Sequence, residues 1–147
     1  MTETLPHKSL MNKPDENTPF HIDFELWKKS DPNWKNYLID SLCEIHKAWI
    51  EKNQNIDSID LVNPETGEIS QADALLNLIY NHCAQQNGFI PKDGTITDTI
   101  FRILLQRQNK SISVHEISKI INRPEETILR TIGGKRIYKG IVADYTK

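Results

Sequence analysis

The chain has 147 residues, 37% hydrophobic and 26% charged, with a formal net charge of −2, which suits one globular domain or two very small ones sharing a core. No run of about 18 apolar residues exists, and no apolar stretch of about seven follows a basic start, so neither a membrane span nor a secretory signal is expected. The charge is unevenly spread: residues 1–95 hold 8 Lys+Arg against 15 Asp+Glu, a net of −7, and residues 96–147 hold 10 against 5, a net of +5, which suggests a basic working face on an acidic body.

Residues 1–19 carry three prolines and few large apolar side chains and read as a flexible tail. Phe20, Ile22, Phe24 and Leu26 then alternate with polar residues, the pattern of a short strand or an extended arm laid over the core. Ser30-Asp31-Pro32 offers a cap and a proline near a first helical turn. Trp34, Leu38, Leu42, Ile45 and Trp49 follow on one face of a single helix over about 33–52; this Trp-rich face is a candidate dimer surface. Asn63-Pro64-Glu65-Thr66-Gly67 lies between two β-prone segments and predicts a small hairpin or tight loop.

Ser70 and Asp73 resemble a capping box for an amphipathic helix carrying Leu75, Leu76, Ile79, His82 and Cys83, which should end near Gly88. Cys43 and Cys83 fall on the apolar sides of their helices and read as small core residues of a reducing compartment. With no C-x-x-C or H-x-x-x-H spacing, neither a disulfide, a metal site nor a cofactor is expected, and the cytoplasm is the expected location. His46 and His82 lie in separate helices beside apolar residues and read as satisfied or exposed histidines rather than catalytic bases. Pro91-Lys92-Asp93-Gly94 marks a boundary between an acidic helical region, 20–94, and a basic module, 95–147. It is too short for a flexible linker, so the two halves should pack together.

Within the module, Thr97 or Asp98 can cap a helix that buries Ile100, Phe101, Leu104 and Leu105 and leaves Arg102, Arg107 and Lys110 for solvent or phosphate. Ser113 and Glu116 form a Ser-x-x-Glu capping box at the start of the next helix. Asn122 suits a left-handed turn, and Pro124 suits the opening of a following helix that buries Ile128, Leu129 and Ile132 and ends at Gly133-Gly134. Ile137, Ile141 and Val142 are β-prone, and Lys139-Gly140 can turn between two strands.

The segment VHEISKIINRPEETILRTI resembles the helix-turn-helix signature of winged-helix proteins. Ser118 matches the small residue wanted where the two helices cross, Asn122 the turn four positions later, and Ile128 the aliphatic residue six positions beyond the turn. Arg123 stands where the family usually has an aliphatic residue, and GGKRIYKGIVADY is similar to a very short wing. The resemblance covers about a third of the chain. It implies a mainly α fold, in which a helical N-terminal region packs on a C-terminal winged helix-turn-helix with a short β-hairpin wing.

What the resemblance implies for function is a DNA-binding protein, regulatory in role, for instance of transcription, with double-stranded DNA as partner. The helix from Pro124 to Ile132 would enter the major groove, where Arg123, Thr127 and Arg130 would touch DNA. Lys135, Arg136 and Lys139 would hold phosphates from the wing, and Lys119 would flank the backbone. Glu125 and Glu126 favour the helix dipole but repel phosphate. They support the alternative, a winged-helix protein–protein interaction module of a larger complex that does not bind DNA. A homodimer and a separate protein partner both stay open. No glycine-rich phosphate loop, nucleophile elbow or paired-histidine metal motif appears, so the expectation is not an enzyme.

Overall fold

The computed structural model describes residues 13–52 and 71–145. Among them the chain forms β1 (Pro19–Ile22), α1 (Phe24–Ser30), α2 (Trp34–Asp40), α3 (Glu44–Lys52), α4 (Gln71–Asn81) and a 3-10 turn (Cys83–Gln85). These are followed by α5 (Ile96–Gln106), β2 (Ile112–Ser113), α6 (Val114–Ile121), α7 (Glu125–Ile132) and β3 (Ile141–Ala143). The architecture is mainly helical with one small antiparallel sheet, as the sequence suggested at that level. No helix among the described residues is long and apolar enough to cross a membrane. The hairpin expected near Pro64 and the capping box expected at Ser70 lie outside the described residues.

The sheet has the order β2-β1-β3, so the strand nearest the N-terminus is its centre. Phe20 pairs with Ile112 on one side and with Ala143 on the other, and Ile22 pairs with Ile141. Alternation sends Phe20 and Ile22 into the core, 1% and 2% exposed. The alternating pattern read over residues 20–27 therefore holds for β1 alone. Asp23 caps a helix through its carboxylate, which accepts from the Leu26 amide, and the chain turns from strand to α1. Part of the segment read as a tail is bonded into the fold: the His115 amide donates to the Glu16 carbonyl and the Asp144 amide to the Pro19 carbonyl.

The short wing is corrected by the same sheet. Lys139 and Gly140 do form a tight turn, with φ of 53° and 75°, but Ile137 is not in a strand and only β3 follows. A hairpin needs two arms of its own chain segment; here β1 supplies the partner that the missing arm would have been. The turn docks on α1, where the Asp23 amide donates to the Gly140 carbonyl. A β-carbon at residue 140 would stand 2.8 Å from Trp27 Cβ, so glycine allows the close approach.

The single helix expected over 33–52 is two helices. The Ser41 and Leu42 amides make tight bonds to the Leu38 and Ile39 carbonyls, and the Ser41 hydroxyl also donates to Leu38, ending α2. Cys43 then starts α3, its carbonyl accepting from the Lys47 amide. The break changes the helical phase. Leu38 and Leu42 stay buried, whereas Ile45 is 72% and Trp49 39% exposed and Ile50 becomes the buried residue of α3. The core is completed by α5, whose Ile100, Phe101, Ile103, Leu104 and Leu105 are all buried, and Phe101 meets Trp27 edge-on at 5.4 Å.

Candidate nucleic-acid interface and metal-ligating cluster

The two helices read as a helix-turn-helix are each built by local signals. Ser113 accepts from the Glu116 amide while Glu116 reaches back to the Ser113 amide, a complete capping box that starts α6. Asn122 ends it in the left-handed region at φ 57°, ψ 48°. The Ser118 hydroxyl donates to the Arg123 carbonyl at 2.6 Å and fixes the turn. Val114 and Ile117 on α6 face the core with Ile128 and Ile132 on α7, and Gly133 caps the end of α7.

The cations expected at this surface separate into two groups. Lys119, Arg123, Lys135 and Arg136 are exposed. None of these four forms an ion pair with the described residues, and Arg136 lies over the Tyr138 ring at 5.3 Å. Arg130 is exposed and bonded to Glu126 at 3.1 Å, and Thr127 is half-buried. Glu125 meets His115 at 2.5 Å, so both carboxylates at the tip of α7 have partners within the chain. Lys139 differs. Its ammonium bonds Asp98 at 3.0 Å and lies over the rings of Tyr37 and Phe101, with its side chain 20% exposed. Lys139 is thus engaged within the chain at the position where the sequence places a phosphate contact.

Arg102, expected in solvent, is also inward. It bonds Asp98, the Phe89 carbonyl and the Asp40 carbonyl. Asp98 thus joins α5 to the turn before β3, and through Arg102 to the end of α2. Arg107 donates to the Ser111 carbonyl.

A second constellation lies between α3 and α4. Cys43 immediately precedes α3, His46 occupies its first turn, and His82 and Cys83 follow the last residue of α4. Their ligand atoms all lie within 4.8 Å of one another. Cys43 Sγ is 3.3 Å from His46 Nδ1, 3.5 Å from His82 Nδ1 and 3.5 Å from Cys83 Sγ, and His46 Nδ1 is 3.2 Å from Cys83 Sγ. The two imidazoles meet edge to face with centroids 4.7 Å apart. Burial, and then the facing His82, lowers the pKa of His46, and burial pushes the Cys83 thiol up to about 11.

Comparison with protein-family models, curated proteins and solved structures finds no match.

The cluster is hidden in the sequence because each cysteine lies on an apolar helix face and neither C-x-x-C nor H-x-x-x-H spacing occurs. The signal was present as two mixed half-sites, Cys43-x-x-His46 and His82-Cys83. No metal site was expected from those residues, and the fold nevertheless brings all four donors together. The break at Ser41 is what turns Cys43 and His46 toward α4, and that break carries no proline or glycine to announce it.

Proposed function

We propose that this chain binds double-stranded DNA in the manner of a winged-helix protein, with α7 as the groove-facing helix and a regulatory role. The observation that carries the reading is the pairing of α6 and α7 about Asn122 together with four exposed cations around them, Lys119, Arg123, Lys135 and Arg136. The order helix, strand, helix, turn, helix, strand from α5 to β3 also suits it. Partnering of Glu125 by His115 and of Glu126 by Arg130 reduces their repulsion of phosphate. Four phosphate contacts give a salt slope near about −3.6, which is roughly a hundredfold loss of affinity from about 50 to 200 mM salt.

Fluorescence anisotropy with labelled random duplex tests this. The full chain should bind at the lower salt and release as salt rises. The double variant Lys135→Ala/Arg136→Ala should bind more weakly and flatten the slope by about two. Absence of binding at micromolar protein and low salt would sink the reading.

One observation favours a second reading, a protein-interaction module. An open groove of about 540 Å³ is lined by Leu129, Ile132, Ile137, Val142 and Tyr145, with Lys135 beside it. Ile137 is 44% exposed there, an apolar surface of the kind that protein partners cover. Failure of the DNA experiment would move the function to this groove.

A further inference from the structure

We infer that Cys43, His46, His82 and Cys83 form a tetrahedral zinc site that clasps α3 to α4. A tetrahedral zinc ion with bonds of about 2.3 Å to sulfur and about 2.0–2.1 Å to nitrogen sets its ligand atoms about 3.3–3.8 Å apart. Four of the six separations among these atoms run from 3.2 to 3.5 Å and all six stay within 4.8 Å, so the four donors converge on one position of about an ion's size. Two sulfur and two imidazole donors are the soft and borderline set that selects zinc over magnesium or calcium, which prefer oxygen. Four protein ligands leave no open position, which marks a structural rather than a catalytic ion. A disulfide is a different geometry: the sulfurs are 3.5 Å apart, against about 2.05 Å in a bond.

The chemistry balances. Zinc displaces one proton from each thiol, and two thiolates with two neutral imidazoles leave the site uncharged, as a half-buried position requires. The two ligand pairs come from segments 40 residues apart in sequence, so the ion would join two parts of the chain that are distant along it.

The test is metal analysis of the full chain, purified under reducing conditions, followed by removal of the ion with a chelator and titration with zinc and then cobalt. One zinc per chain is expected, with a rise in melting temperature on reloading and with the thiolate-to-cobalt charge-transfer absorption of a tetrahedral sulfur site. Cys43→Ser removes one of the two thiolates and should cut that absorption by half or more. His82→Ala removes an exposed ligand and should leave the fold intact while weakening zinc binding by more than about 100-fold, since loss of an outer-sphere partner already costs about 10–100-fold. A reduced, metal-free chain that takes up no zinc at micromolar concentration overturns the site. So does zinc binding that His82→Ala and Cys43→Ser leave unchanged, or a purified chain whose two cysteines are joined and which holds no zinc.

Discussion

Lys139 shows how one side chain can carry a charge without offering it. From sequence it is the third cation of a basic trio, and nothing in Lys135-Arg136-Ile137-Tyr138-Lys139 separates it from the other two. Its backbone sits at φ 53°, and its ammonium meets Asp98 above the Tyr37 and Phe101 rings. Both the ion pair and the ring contacts are partly shielded from solvent, so they exceed an exposed pair but stay modest. Lys139→Ala should therefore lower stability by about 1–2 kcal/mol in a urea titration. It should leave the salt slope of DNA binding unchanged, the opposite of the Lys135 and Arg136 variants. A Lys139→Ala protein of normal stability and reduced slope would return this residue to the DNA surface.

At the scale of elements, the parts legible in sequence are those fixed by neighbours in the chain. The capping box at Ser113 and Glu116, the left-handed Asn122 and the glycine end of α7 all depend on residues within a few positions, and all are found. The apolar stripe of α5 is likewise found, capped by Thr95 one turn earlier than Asp98. What was not legible depends on distant partners. Asn109 is an example: at φ 62° it reads as a loop residue, yet its amide side chain accepts from the Ile22 amide at 2.8 Å and donates to the Ile22 carbonyl at 2.9 Å. Since β2 pairs only with Pro19 and Phe20, Asn109 continues the ladder that β2 is too short to extend. Asn109→Ala strands both backbone groups of a buried strand residue, and a cost of about 1–3 kcal/mol follows. Thermal unfolding measures it; a shift no larger than that of an exposed surface substitution would show that water replaces the side chain. The Cys/His cluster belongs to the same class, since Cys43 and Cys83 are 40 residues apart and meet only in the folded chain.

At the scale of the whole molecule, the charge boundary near residue 95 is not a boundary of folding. β2 and β3 belong to the basic module but do not pair with each other; both pair with β1, from the acidic part. The core follows the same logic, because Trp27 of α1 packs on Phe101 of α5 and against the Gly140 turn. A fragment of residues 95–147 would keep the sequence of α5, α6 and α7 but lose the central strand, the Asn109 partner and the cover of Phe101. About fifty residues bury too little apolar surface to absorb those losses. The fragment should therefore show no cooperative melting transition by circular dichroism and should bind DNA more weakly than the full chain at equal salt. Joining residues 13–31 to it through a flexible linker restores β1 and α1 and should recover part of the transition. Cooperative melting of the bare fragment would instead mean that α5, α6 and α7 are self-sufficient, with β1 an accessory strand.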